Sequence, residues 1–104
     1  MSSSAQNGKG PAPWIVSQNS KSDKGEEKLP EKVKLSCTAA KGTLRKTGKA
    51  AGFKNFDRLQ QLGKNVWHCH LNAGETVYVM IWTVEKAKRK IKITYIGTHE
   101  NAPY

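Results

Sequence analysis

Acidic side chains are scarce in this sequence. Eight Asp and Glu stand against eighteen Lys and Arg in 104 residues, which leaves a formal net charge of +10. An excess of that size speaks to partners rather than to fold. The natural partners are polyanions: RNA or DNA, the ribosome, or an acidic protein. Long apolar runs are missing as well. Nothing approaches the roughly eighteen consecutive apolar residues of a membrane span, and no signal peptide is expected, since the N-terminus lacks both an apolar stretch and a basic cluster. Cysteine is nearly absent, and Cys37 and Cys69 have no CxxC spacing. That argues against a disulfide-stapled framework, and a cytoplasmic protein with two free, half-buried thiols is the simplest account. The hydrophobic share is only 37%. Part of the deficit lies in residues 1–13, rich in Ser, Gly, Pro, Asn and Gln, which read as a disordered tail. Residues 14–104 remain, the size of one domain, whose core suffices without staples but with little to spare.

What is present concentrates between Val66 and Tyr104, which holds all three histidines and two of the three tryptophans. This stretch reads as three successive strands. Val66–Leu71 alternates, placing Trp67, Cys69 and Leu71 on one face and Val66, His68 and His70 on the other. Asn72-Ala73-Gly74 signals a turn. Thr76–Val84 is almost wholly β-branched and aromatic, as in a central strand buried on both sides. A basic turn, Glu85–Lys90, leads into Ile91–Ile96. Gly97 is then expected to break the strand and present His99.

Upstream, Trp14-Ile15-Val16 follows two prolines and reads as a first strand at a sheet edge. Ser17–Lys28 is polar, and both a short weak helix and a loop are compatible with it. The clearest helix opens at Leu29-Pro30-Glu31, where a proline sacrifices no hydrogen bond. The stripe Leu29, Val33, Cys37, Ala40, Leu44 keeps helical spacing. Lys32, Lys34, Lys41, Arg45 and Lys46 lie largely outside it, and Gly48 supplies the stop. Lys49–Asn65 has no period, with Phe53, Phe56, Leu59 and Leu62 as its anchors. A strand, helices, a loop and three antiparallel strands argue an α+β fold, with short helices packed on one face of a small, mostly antiparallel sheet.

Histidine exchanges protons near neutral pH. His68 and His70 are two apart on a strand, so they point the same way, and His99 follows the last strand. Three imidazoles could chelate zinc. No carboxylate or thiolate stands at ligand spacing, however, and Cys69 points to the opposite face, so neither a metal nor any other cofactor is expected. Metal-free RNA cleavage makes better use of the set. It needs a base for the 2′-hydroxyl proton, an acid for the leaving 5′-oxygen, and cations for the phosphorane. Lys86, Lys88, Arg89, Lys90 and Lys92, one hairpin away, are candidate cations, although residue by residue an ordinary solvated turn is the better account of that run.

The element order, with Leu29-Pro30-Glu31-Lys32-Val33 at the start of the second helix, resembles the RelE/ParE superfamily of bacterial toxin–antitoxin toxins. Cys69-His70-Leu71 and Gly97-Thr98-His99 are the sharper match. They are similar to the YafQ-type branch, whose second strand carries such a histidine and whose last strand ends in G-[ST]-H. The resemblance spans residues 14–104. It implies a RelE-like α+β domain acting as a type II toxin: a ribosome-associated mRNA endonuclease held silent by a cognate antitoxin. His70 would be the base and His99 the acid, while His68, Arg58, Lys86, Lys88, Arg89 and Tyr104 would contact RNA. Arg58 lies near the place of an upstream histidine of that branch, and Glu75 is nearest to its displaced acidic residue. Val79 takes the place of an arginine in RelE-type enzymes, and Tyr104 comes one residue after the branch's terminal aromatic. A second class therefore stays open, a non-catalytic basic binding module, either a ParE-like gyrase-directed toxin or an RNA-binding regulator. A small zinc protein is the third.

Overall fold

The computed structural model describes residues 13–104; the expected tail lies, apart from Pro13, outside them. The described residues form β1 (Ile15–Gln18), α1 (Ser20–Glu27), α2 (Glu31–Thr47), β2 (Lys54–Arg58), β3 (Val66–His70), β4 (Tyr78–Glu85) and β5 (Lys90–Thr98). The strands stand in the order β1-β5-β4-β3-β2. β1 runs parallel to β5, and the other pairs are antiparallel. This is the expected α+β architecture of helices packed on a small, mostly antiparallel sheet.

The apolar stripe of α2 determines which side of the sheet it covers. Val33, Cys37, Ala40 and Leu44 are all buried, and Gly48 closes the helix in a left-handed conformation at φ 76°. They share one core with Cys69, Leu71, Met80, Trp82, Ile91, Ile93 and Ile96 from the sheet. Both thiols are free and fully buried in that core, not half-buried as expected. Strand alternation and helical period send them to the same place, and burial pushes both pKa values up to about 12. Neither is a nucleophile at neutral pH.

The ambiguous segment before α2 is a helix. Asn19 caps α1, its Oδ1 accepting from the Ser22 N–H at 2.8 Å, which satisfies an otherwise orphaned donor. β1 pairs only with residues 90–93 of β5, and α1 continues along the same edge. Asn19 Nδ2 donates to the Thr94 carbonyl at 3.3 Å, and Ser22 Oγ to that of Ile93 at 3.0 Å. Residues 54–58, expected to be irregular, form the edge strand β2. Their alternation is interrupted by a register shift between Lys54 and Asp57, with Asn55 at φ 53°. Leu62 is 38% exposed and anchors little.

A β-bulge sorts the faces of β5. Ile81 pairs with Tyr95, but Trp82 pairs with Ile93, so Thr94 is the extra residue. Ile91 and Ile93 face α2 before the bulge, and Ile96 does so after it. Tyr95 turns to the opposite face, where it packs with Val79, Ile81 and Leu59. Unbroken alternation would have put Tyr95, Gly97 and His99 beneath α2.

Candidate active site

The face opposite α2 is built in rows. Directly paired residues share a face. One row is Gly97, Val79 and His70; the next is Tyr95, Ile81 and His68. Gly97 does not break β5, which continues to Thr98. The absent side chain leaves room for the Tyr95 hydroxyl, 2.7 Å from where a Cβ would stand. That hydroxyl donates to the Thr98 carbonyl at 2.8 Å. His99 is held just past the strand, its N–H donating to the Val77 carbonyl at 2.7 Å. The chain then turns, with the Asn101 N–H on Thr98 Oγ1 at 3.3 Å and the Ala102 N–H on the His99 carbonyl at 3.2 Å. The turn returns Tyr104 to the sheet.

Four rings then close a circle. Their centroids are 5.7 Å apart for His68 and His70, 5.4 Å for His70 and His99, 5.3 Å for His99 and Tyr104, and 5.3 Å for Tyr104 and His68. All four contacts are edge to face. His70 and His99 also line a cleft of about 510 Å³ with Glu75, Thr76, Val77, Thr98 and Glu100. His68 is 8% exposed, and its Nδ1 lies 3.1 Å from the Asp57 carbonyl oxygen. A carbonyl only accepts, so that nitrogen carries the proton and the ring is fixed. His70 is half-buried and His99 exposed, and neither imidazole hydrogen-bonds to another described residue. Burial, and then the neighbouring His68 and His99, hold the His70 pKa below its ordinary value of 6.5. The Tyr104 hydroxyl is buried without a partner among the described residues, and burial raises its pKa. An orphaned buried donor of this kind costs about 1–3 kcal/mol.

His70 is therefore neutral and able to accept a proton at pH 7, beside a second imidazole open to solvent. Such a pair suits acid–base chemistry on a ligand in the cleft. No lysine or arginine lines the cleft, whose carboxylates are Glu75 and Glu100. The nearest cation in the ladder is Lys54, directly opposite His70 on β2. Sequence reasoning missed it because β2 itself was hidden by its irregular register.

The other named residues lie elsewhere. Arg58 is paired with Trp67, and its guanidinium stands 5.1 Å from that ring, on the face away from the imidazoles. The basic hairpin is also not beside them. His70 pairs with the start of β4, whereas Lys86 and Lys88 follow its end, a strand length of roughly 20 Å. Lys88 stands 3.6 Å from Glu85, and the Arg89 guanidinium lies 4.9 Å from the Trp14 ring. Among the described residues, no group of three or more His, Cys, Asp and Glu is placed to hold a metal ion. No helix among them is long and apolar enough to cross a membrane.

The fold, two helices packed on a five-stranded mixed sheet, is shared with solved toxins. The chain superposes on a structure from the archaeal RelE–RelB complex of Pyrococcus horikoshii with a TM-score of 0.65 and 17% identity, over 86% of this chain and 98% of that one. A metal-bound toxin from Helicobacter pylori matches with a TM-score of 0.58 and 15% identity, covering 84% and 96% of the two chains. The toxin–antitoxin complex RelBE2 of Mycobacterium tuberculosis gives 0.58 and 15%, covering 86% and 95%. No protein-family model and no curated protein sequence matches the chain. The likeness is one of fold, and the fold is RelE-like.

Proposed function

We propose that this chain is the toxin of a toxin–antitoxin module and inhibits translation by cleaving mRNA at the ribosome without a metal. The observation that carries this reading is the meeting of His70 and His99, 5.4 Å apart, at a solvent-open cleft of a RelE-like fold. His70 takes the proton of the 2′-hydroxyl, and the 2′-oxygen attacks phosphorus. His99 gives a proton to the departing 5′-oxygen, leaving a 2′,3′-cyclic phosphate and a 5′-hydroxyl. His68, pinned by Asp57, fixes the position of His70, and the Tyr104 ring backs His99. The assignment to the YafQ-type branch rests on His70 and Gly97-Thr98-His99. The antitoxin partner is supported by two of the fold's neighbours being toxin–antitoxin complexes, and by the +10 charge, which an acidic segment would relieve.

Purified protein incubated with RNA and with isolated ribosomes, in the presence of a chelator, tests the reading. Cleavage with cyclic phosphate ends supports it, and intact RNA in both incubations overturns it. A second reading, the non-catalytic basic binding module, is favoured by one observation. The histidine cleft contains two glutamates and no cation to stabilise a phosphorane. Growth arrest with intact mRNA would select it.

A further inference from the structure

The charges of the α1 region cancel in the sequence and separate in space. Lys21, Lys24 and Lys28 balance Asp23, Glu26 and Glu27. The three acids line a separate cleft with Lys34, and two of them are engaged. Asp23 accepts from Gln18 at 2.6 Å, and Glu26 pairs with Lys41 at 2.7 Å. The lysines, at helical spacing i, i+3 and i+7, line a different cleft of about 600 Å³. Its other walls are Gly25, Tyr78, Tyr95, Ile96, Gly97, Thr98 and Asn101, so no carboxylate faces it. All three lysines are exposed, and none forms an ion pair with another described residue. Their placement is fixed, because Gly25 brings α1 against the Ile96 carbonyl so closely that a Cβ would collide with it. Thr98 lines both this cleft and the histidine cleft. Lys21 Nζ stands 5.8 Å from the centre of the Tyr95 ring, on the wall of this cleft. A chain leaving His70 and His99 past Thr98 therefore arrives at a row of cations without carboxylate partners, spanning about 10 Å of helix.

We propose that Lys21, Lys24 and Lys28 form a phosphate-binding track for single-stranded RNA, continuous with the histidine cleft and supplying the positive charge that cleft lacks. The identity of the polyanion rests on the nuclease reading; the track itself rests on the geometry of α1. Each lysine that neutralises a phosphate of a single strand releases counterions and steepens the salt dependence of binding by about 0.7 in a log–log plot.

The test uses the full chain and a short 2′-O-methyl oligoribonucleotide, which lacks the attacking hydroxyl and is bound without being cut. Affinity is measured over a range of salt for wild type, for K21Q/K24Q/K28Q, and for the charge-matched control K46Q/K49Q/K64Q. The track predicts that the first variant flattens the salt slope by about 2 and loses at least tenfold in affinity at low salt, while the control shifts both far less. Equal changes in the two variants mean that net charge alone acts, and overturn the proposal, as does an unchanged slope. Equal losses for RNA and for polyglutamate also overturn it, since the site then takes an acidic protein. Cleavage of ordinary RNA is scored separately. A selective slope change without any cleavage leaves the track standing and removes the nuclease reading, and cleavage without a selective slope change does the reverse. Since all three lysines are exposed, thermal unfolding should be unchanged and serves as the folding control.

Discussion

On the α2 side of the sheet, Met80, Trp82, Ile91, Ile93 and Ile96 meet Val33, Cys37, Ala40 and Leu44, and every one of these side chains is at least 94% buried. On the other side, among the described residues, α2 has no counterpart. A smaller apolar group of Leu59, Val79, Ile81 and Tyr95 is capped by the C-terminal turn. Around it stand three imidazoles and a phenol whose hydroxyl has no partner among the described residues. The same strands build both faces. One face is specified by volume and apolar period, which fix stability. The other holds polar rings at partial burial, with hydrogen-bonding capacity left over, as a site for chemistry does. Thr94 is the residue that divides them.

Inverting the strand beyond the bulge should have the largest effect. Deletion of Thr94 alone would join Tyr95 to Ile93 and leave every later residue on its present face, whereas one alanine inserted between Tyr95 and Ile96 drives Gly97 and His99 toward α2 while expelling Ile96. The insertion variant should lose its cooperative unfolding transition as well as its activity. A folded, active insertion variant would show that alternation along β5 does not sort the faces.

Next in size is Trp82→Ala, fully buried on the α2 side. It should cost about 3–5 kcal/mol in chemical denaturation, and the fraction that stays folded should cleave normally. A Trp82→Ala protein that is stable but catalytically dead would break the division of labour between the faces.

Gly97→Ala should be milder. Its Cβ must displace the Tyr95 hydroxyl, and overpacking of this kind costs about 1–3 kcal/mol. Because Tyr95 also holds the Thr98 carbonyl, the His99 turn should shift and the cleavage rate should fall more than stability does. Tyr95→Phe combined with Gly97→Ala should recover part of the stability, measured by the same denaturation curves.

The smallest effect is on pH dependence. The His70 pKa is depressed in the folded chain relative to its ordinary 6.5, so below 6.5 the unfolded chain binds more protons. The stabilising contribution is present in full above 6.5 and is lost as pH falls through the folded value. Urea unfolding at stepped pH should show this slope in wild type and a shallower one in His70→Asn. An equal slope in the two proteins would remove burial of His70 from the account.

Much of the α2 side was legible in the sequence. Leu29, Val33, Cys37, Ala40 and Leu44 keep an unbroken helical period, and Trp67, Cys69 and Leu71 alternate cleanly. What stayed hidden lies at irregularities. β2 carries a register shift, and β5 carries a bulge, so a period of two misplaces every residue after Thr94. The candidate pair His70 and His99 was named from a strand histidine and a G-T-H ending, but the reason they share a face is the bulge. The distance from them to the basic hairpin followed from the length of β4 and was read too short. The lysines of α1 escaped notice because three acidic residues cancel them in composition, and only the folded helix separates the signs.

The most direct test of the central claim is RNA cleavage by the His70→Ala, His99→Ala double variant, read together with its unfolding curve. Each imidazole contributes roughly 10² to 10⁴-fold to an acid–base mechanism. Neither belongs to the α2-side core, so stability should stay close to that of wild type. The account predicts a folded protein in which cleavage and growth inhibition are both lost, while wild type yields 2′,3′-cyclic phosphate ends. A folded double variant that still cleaves RNA or arrests growth at the wild-type level would contradict it.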